Sequence, residues 1–148
     1  MVELASNKKA FFDYEILDRY EAGLVLFGQE VKSAKTGHVS LKGSFVTLKN
    51  GELFLINADV PPYRHAGIVP GYDSRRSRKL LLKKAEIRHL IGKLKAKGLT
   101  LVPIRMYTRK RLVKLEFAIA RGKKQYDKRE NIAKKEAGRK IKRALKNF

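Results

Sequence analysis

The stretch FVTLKNGELFLIN, residues 45–57, is the clearest indication of the fold. Two short runs rich in apolar and β-branched residues flank Asn50-Gly51. Both central residues of a type I′ turn need a positive φ, which Asn and Gly adopt readily. The stretch therefore predicts a β-hairpin. Because Phe45 and Leu48 do not alternate perfectly, we also predict a bulge near Thr47.

Similar patterns predict further strands on both sides of this hairpin. In the last one, Val113, Leu115, Phe117 and Ile119 alternate with smaller or polar residues, as expected of a strand with one buried face. We predict strands over residues 11–20, 24–27, 100–108 and 112–120. A turn or bulge at 21–23 separates the first two, and 108–111 forms the turn between the last two.

Helical periodicity is confined to one long segment. In residues 80–97, Ile87, Leu90, Ile91 and Leu94 follow the i, i+3, i+4, i+7 spacing, and Gly98 is the predicted stop. A short helical turn is predicted at 31–35, a polar lead-in at 1–10 and a Pro-rich loop at 59–76. About six strands with one main helix predict a mainly β domain with helices, folded as a small closed or nearly closed barrel.

The charge of the chain indicates its class of partner. Its 148 residues include 35 Lys or Arg against 14 Asp or Glu, a net charge of +21. Such a chain repels itself and favours a polyanion, first RNA or DNA and second an anionic membrane surface. There is no cysteine, which excludes disulfides and thiolate metal sites. No apolar run is long enough for a signal peptide or a membrane span, so we expect a cytoplasmic protein.

Much of this charge lies at the C-terminus. Residues 121–148 hold twelve Lys or Arg and three acids, a local net charge of +9. Their apolar content is too thin to offset the entropy of ordering the segment alone. We therefore predict one domain over residues 1–120, followed by a basic tail over 121–148 that is disordered until a polyanion orders it.

No catalytic motif is well formed. Glu30-Val31-Lys32 is compatible with the carboxylate-x-lysine step of metal-dependent nucleases, with Asp18 or Glu21 as a second acid. The alternative is a salt-bridged or RNA-facing turn. The three histidines lack metal-ligand spacing. We expect no enzyme, no catalytic residue, no metal and no cofactor.

Basic clusters with aromatic residues nearby favour RNA binding. The aromatic side chains could stack on unpaired bases while the cations contact phosphates; the alternatives are core packing and a solvated face. The clusters are Asn7-Lys8-Lys9, Arg75-Arg76-Ser77-Arg78-Lys79, Lys83-Lys84 and Lys93, Lys95 and Lys97, and the aromatics are Phe11, Phe12, Tyr14, Tyr63 and Tyr72.

Eight short motifs occur in one order along the chain. They are Asn-Lys-Lys-Ala at 7–10, Tyr-Glu-Ile at 14–16, Tyr-Glu-Ala-Gly at 20–23, Gly-x-Glu-Val-Lys-Ser at 28–33, Arg-Lys-Leu-Leu-Leu at 78–82, Glu-Ile at 86–87, Lys-Gly-x-Thr-x-Val-Pro at 97–103 and Gly-Lys-Lys-x-Tyr-Asp-Lys-Arg at 122–129. In this order, the chain resembles the small protein B family, whose members bind transfer-messenger RNA in bacteria.

The resemblance implies an oligonucleotide-binding-like β-barrel and a non-enzymatic role. Family members bind the tRNA-like domain of transfer-messenger RNA and accompany it, with elongation factor Tu as an indirect partner, into the A site of a stalled ribosome. Their basic tail occupies the small-subunit decoding centre and the empty mRNA path. The process is trans-translation, which tags the nascent chain and frees the ribosome. We further expect a monomer with no membrane partner.

The resemblance also implies which residues meet RNA. On the barrel they are Asn7, Lys8, Lys9, Glu21, Gly23, Lys32, Leu81 and Lys114. In the tail, the residues expected to meet small-subunit ribosomal RNA are Gly122, Lys123, Lys124, Tyr126, Asp127, Lys128 and Arg129, and Leu145 stands where the family often has an apolar residue.

The family pattern is altered at several positions. Phe12 stands where histidine is usual, and Gly71-Tyr72 and Ser74 replace the common residues around Asp73. These changes leave the conformation of the 67–76 loop open. Two rival hypotheses also stay open, a protein that coats ribosomal RNA by charge alone and a tail that binds a membrane surface.

Overall fold

The computed structural model describes residues 1–65, 67 and 70–123. Within these residues, the chain forms seven strands and three helices. In order they are β1 (Val2–Ser6), α1 (Lys8–Asp13), β2 (Tyr14–Leu24), α2 (Gly28–Lys35), β3 (Phe45–Lys49), β4 (Glu52–Ile56), β5 (Arg78–Leu81), α3 (Lys84–Leu94), β6 (Leu99–Arg109) and β7 (Leu112–Gly122). The mainly β class with a few helices is confirmed.

The seven strands form one antiparallel sheet in the order β1-β6-β7-β2-β5-β4-β3. β3 comes near β6, but in the described part of the chain no hydrogen-bonded ladder joins them, so the sheet does not close into a barrel. The predicted count of six strands is also wrong. Two strands, β1 and β5, were missed, and the predicted strand at 24–27 is absent.

The hairpin at the centre of the sequence is confirmed. Asn50 and Gly51 have φ values of 52° and 75°, and Lys49 pairs with Glu52 across the turn. The register then continues without a shift to the other end of β3, so the predicted bulge near Thr47 is wrong. Phe45 and Leu48 both stay exposed, and the irregular apolar pattern has no counterpart in the backbone.

The N-terminal region differs most from the prediction. The expected polar lead-in forms β1, which pairs antiparallel with the second half of β6. Residues 11–13, predicted as strand, complete α1. β2 then runs unbroken through 21–23, because it pairs with β7 along almost its whole length. The secondary structure of these segments depends on pairing with distant strands, which the local sequence pattern does not reveal.

The main helix is shorter than predicted. Residues 78–81 form β5, with Arg78 and Leu80 buried, because this run pairs with β4 on one side and with the end of β2 on the other. α3 therefore begins at Lys84, and its Leu90 is buried. Gly98, with a φ of 84°, lies in the turn that leads into β6.

The sheet has two faces with different cover. One carries the main core, to which β7 contributes Val113, Leu115, Phe117 and Ile119. On the other face, α1 covers one end and buries a small cluster of Ala10, Val102 and Ala120. Beyond that cluster the second face carries mostly polar side chains.

Candidate RNA interface

The uncovered part of the second face lies where β5, β2, β7 and β6 run side by side. Alternate residues of these strands share a face, since the side-chain period of a strand is two. We define the outer sheet face by nine of them: Arg19, Glu21, Gly23, Leu81, Arg105, Tyr107, Arg109, Lys114 and Glu116. Six carry a charge, four positive and two negative.

Four residues implied by the family resemblance meet on this face. Gly23 of β2 pairs with Leu81 of β5 on one side and with Lys114 of β7 on the other. A methyl group added at Gly23 would lie 3.5 Å from Leu81 Cβ and 3.8 Å from Lys114 Nζ, both ordinary contacts. Leu81 is 53% exposed although it is apolar. Glu21 lies two residues before Gly23 on the same face.

Two hydrogen bonds fix the position of the Glu21 carboxylate. It accepts hydrogen bonds from the Tyr107 hydroxyl and, at 3.0 Å, from Arg109 Nη1. The Tyr107 hydrogen bond and the charges of Arg109 and Lys114 outweigh partial burial and lower the pKa of Glu21 below its ordinary value. Burial and the nearby carboxylate raise the pKa of Tyr107. At neutral pH the face therefore presents an ionised carboxylate, which can accept hydrogen bonds, among positively charged side chains.

The second acid of the face is bonded to two arginines and is less exposed than Glu21. Glu116 accepts a hydrogen bond from Arg105 Nε at 2.9 Å and one from Arg19 Nη1 at 3.2 Å. Arg105 also lies over the Tyr107 ring, and Arg19 lies over the Phe11 ring, with guanidinium carbons 4.8 and 5.4 Å from the ring centroids. Sequence reasoning missed these arginines. The two-residue alternation of the last two predicted strands would have placed Arg105 and Arg109 on one face.

Three predicted residues cluster at α1. Asn7 is tied into the fold, since its side-chain amide donates to Pro103 O at 2.9 Å and its backbone N–H donates to Ile104 O at 2.7 Å. Asn7 and Lys8 line a cavity together with residues of the outer sheet face, so they extend that face. Lys9 also lines a cavity beside Lys42, away from the face.

Lys32 stands apart from the other predicted residues. It lies on α2, with its Nζ 5.8 Å from the centre of the Tyr63 ring. Tyr63 in turn makes an edge contact with His65, at 5.4 Å between ring centroids. The structure therefore places Lys32 with the 59–76 loop and not on the outer sheet face.

The nuclease hypothesis for Glu30 is wrong. Glu30 is fully buried and forms ion pairs with Arg76 and Arg78, the second at 2.6 Å. Burial would raise the pKa of Glu30, but hydrogen bonds from Arg76, from the Phe27 backbone and from Arg78 together lower it. A carboxylate enclosed in this way cannot reach a metal ion.

The same ion pairs correct the interpretation of the arginine cluster at 75–79. Arg78 is fully buried and donates to the backbone carbonyls of Ala58 and Ser74, at 2.8 and 2.9 Å. Tyr72, proposed as a stacking aromatic, donates its hydroxyl to Val60 O at 2.7 Å. Arg76, Arg78 and Tyr72 fix the loop onto the domain, so the two arginines are not available to contact phosphates. Arg75 of the same cluster is exposed.

The tail lies almost entirely outside the described residues. Of its predicted contacts, only Gly122 and Lys123 are described, and Gly122 still belongs to β7. Lys123 donates its backbone N–H to Asp13 O at 2.9 Å and its Nζ to Phe11 O at 3.1 Å. The predicted boundary at residue 120 therefore falls inside a strand. Outside the described residues lie Lys124, Tyr126, Asp127, Lys128, Arg129 and Leu145.

In the described part of the chain, no helix is long and apolar enough to cross a membrane. Nor do any three His, Asp or Glu side chains there converge closely enough to hold a metal ion.

The sheet exposes arginines, a lysine and a hydrogen-bonded carboxylate on one face. This is the chemistry of a nucleic-acid-binding protein. The model of one protein family, described as SmpB protein, matches residues 4–147. The chain belongs to the SmpB protein family.

Individual relatives agree with this assignment. The chain is 51% identical to the SsrA-binding protein of Thermosipho melanesiensis over 144 residues, which is 97% of each chain. It is 46% identical to that of Trichodesmium erythraeum, over 98% of this chain and 93% of the relative. A solved structure described as "tmRNA-SmpB: a journey to the center of the bacterial ribosome" contains a similar chain. The two share 49% identity and a TM-score of 0.66, over 81% of this chain and 84% of that one.

Proposed function

We propose that this protein is a non-catalytic RNA-binding adaptor for ribosome rescue. It binds the tRNA-like domain of transfer-messenger RNA and delivers it to the A site of stalled ribosomes for trans-translation. One observation carries the proposal. Glu21, Gly23, Leu81 and Lys114, which are far apart in the sequence, meet on one exposed face of the sheet.

The chemistry of this face suits folded RNA. Lys114 can contact phosphates, which supplies affinity but no selectivity. Glu21 cannot contact phosphates, but its carboxylate has about four acceptor positions, of which Tyr107 and Arg109 occupy two. The others can accept from a base amino group or a 2′-hydroxyl, which gives selectivity. The exposed Leu81 offers an apolar surface to a base or ribose.

The names of the relatives support the same partners. They are called SsrA-binding proteins, and the similar solved chain comes from a study of tmRNA-SmpB and the bacterial ribosome. The proposal includes a contact of the basic tail with the small-subunit decoding centre, elongation factor Tu as an indirect partner and a cytoplasmic location.

Two finer points belong to this proposal as well. The oligonucleotide-binding-like class is supported by the approach of β3 to β6, because these strands lie far apart in the order of the sheet and only a curved sheet brings them together. The non-catalytic role is supported by the enclosure of Glu30, the first acid that a carboxylate-x-lysine nuclease site would need. A second candidate, a protein that coats ribosomal RNA by charge alone, is favoured only by the net charge of +21.

A truncation tests the division of labour. Because β7 ends at Gly122 and Lys123 is bonded to α1, the cut belongs after Lys123. We expect residues 1–123 to bind the tRNA-like domain tightly in a gel-shift or fluorescence titration. The same protein should fail to support peptide tagging on stalled ribosomes, because the tail is missing.

Competition with another structured RNA separates the two candidates. At moderate salt, an excess of a tRNA-like domain should displace labelled RNA from residues 1–123, whereas an unrelated hairpin RNA should not. Equal displacement by both would favour the charge-coating protein. Loss of all RNA binding in residues 1–123 would contradict the role given to the outer sheet face.

A further inference from the structure

We propose that Lys110 and Arg111, in the turn between β6 and β7, form a phosphate-binding site for RNA at the end of the outer sheet face. This inference rests on the proposed function, since it adds a contact to the same RNA-binding protein.

The backbone of the turn is the first observation. Lys110 and Arg111 have φ values of 50° and 68°, in the left-handed region that residues with a Cβ avoid. The ladder continues directly on both sides, with Arg109 paired to Leu112. The turn thus has two central residues, both at positive φ, as in a type I′ hairpin.

The β3–β4 hairpin supplies an internal comparison. It has the same two-residue turn, with φ values of 52° and 75°, and it uses Asn50 and Gly51. Asn and Gly adopt this geometry at lower cost than Lys and Arg. Turn formation alone therefore does not require cations at 110 and 111. Strained residues of this kind concentrate at functional sites, where another role offsets their cost.

The surroundings of the turn indicate what that role is. Both side chains are exposed, and neither forms an ion pair with any residue that the structure describes. Arg111 lines a cavity with Gly23, Leu81 and Lys114. It also lines a second cavity, which includes Lys35. The turn therefore continues the outer sheet face around the end of the molecule.

The charge of this region favours a polyanion. Arg109, Lys110 and Arg111 are consecutive, and Arg111 shares one cavity with Lys114 and another with Lys35. Glu21 is the acid that contacts Arg109. Like charges at close range repel one another, and a phosphodiester backbone relieves that repulsion. The phosphates can come from transfer-messenger RNA or from ribosomal RNA, since the chemistry is the same.

The test replaces the turn with the one that the chain uses elsewhere. The double variant Lys110→Asn/Arg111→Gly is made in the full chain. Its melting temperature should equal or exceed that of the parent, because the positive-φ residues are now Asn and Gly. Its RNA affinity should fall, and the slope of log K against log salt should become shallower by about 1 to 2, as expected for two lost phosphate contacts.

A matched control removes the same charge at another place. Lys49 of β3 and Arg88 of α3 are exposed and belong neither to the outer sheet face nor to the basic clusters assigned to RNA. Lys49→Gln/Arg88→Gln should change the slope less than the turn variant. An equal change would overturn the site, because net charge alone would then explain the loss.

The reverse exchange, Asn50→Lys/Gly51→Arg, puts the two cations into the β3–β4 turn. It should lower the melting temperature. If the melting temperature does not fall, backbone strain at Lys110 and Arg111 no longer supports the site.

Two RNAs identify the source of the phosphates. Titrations use the tRNA-like domain of transfer-messenger RNA and, separately, isolated small ribosomal subunits. If the turn variant loses affinity for either partner, the inference is supported and that partner is identified as the source of the phosphates. If the parent binds both and the turn variant binds both equally well, the inference is wrong. If the parent binds neither, the proposed function fails instead.

Discussion

Two glutamates of this chain have opposite surroundings. Glu30 is enclosed by Arg76 and Arg78, while Glu21 lies on an open face and is held from one side by Tyr107 and Arg109. Both have a lowered pKa, but only Glu21 has acceptor capacity that a partner can reach. At the scale of single residues, accessibility therefore separates a structural acid from a candidate recognition group.

The role of Tyr107 can be tested directly. The variant Tyr107→Phe removes the hydroxyl that contributes most to the lowered pKa of Glu21, so that pKa should rise toward its ordinary value. A folded-state pKa below the unfolded value stabilises at neutral pH, and this contribution is lost as the pH falls through the folded pKa. Carboxyl-carbon NMR titration of Glu21 measures the shift.

A neighbouring tyrosine provides the control. Tyr20 precedes Glu21 but packs on Phe117 on the core side, with ring centroids 5.7 Å apart. Tyr20→Phe should leave the Glu21 titration unchanged. If Tyr107→Phe also leaves it unchanged, the hydrogen bond does not hold the carboxylate.

At the scale of elements, the Glu30 network connects three segments that local sequence keeps apart. Glu30 belongs to α2, Arg78 to β5, and Arg76 and Tyr72 to the loop between β4 and β5. Ser33 of α2 adds a hydrogen bond to Pro61 O at 2.6 Å. The loop is long and rich in proline, yet side-chain bonds anchor its described parts at several points.

Removing the acid should therefore destabilise the whole domain. Glu30→Gln leaves the fully buried Arg78 without its counter-ion, and we expect a loss of about 3–5 kcal/mol in the free energy of unfolding at neutral pH. Because the pKa of Glu30 is lowered, the difference from the parent should be full above its ordinary value of 4.5 and shrink as the pH falls below it. Urea unfolding at several pH values measures both.

A surface ion pair serves as the matched control. Glu52 of β4 and Lys79 of β5 also join two elements, but their side chains are 47% and 43% exposed. Glu52→Gln should cost less than about 1 kcal/mol. If both variants lose the same free energy of unfolding, burial of the Glu30 network does not add to the stability of the domain.

At the scale of the whole molecule, β1 and β3 are the two edge strands of the sheet that the described residues form. Edge strands can pair with a second copy of the chain. The net charge of +21 opposes this, since two such molecules repel each other strongly at low ionic strength.

We therefore expect a monomer in low salt. Sedimentation velocity at low ionic strength should give a single species near the chain mass of 16.9 kDa. A stable dimer under these conditions would show that an edge or an exposed apolar patch overcomes the repulsion. Residues 1–123 provide a less charged chain with the same two edges for comparison.

The sequence alone determined what depends on neighbouring residues and on composition. The Asn50-Gly51 hairpin, the face of α3, the last two strands and the class of partner all follow from local periodicity, turn chemistry and net charge. The family motifs added the residues that meet on the outer sheet face.

Tertiary structure decided everything that depends on distant partners. A five-residue strand such as β1 is stable only because β6 lies beside it, and β5 is a strand and not a helical turn because β2 and β4 pair with it. Arg78 looks in the sequence like another surface cation, and only the fold buries it against Glu30. The local sequence pattern cannot reveal such contacts, because residues far along the chain stabilise a strand or a buried charge.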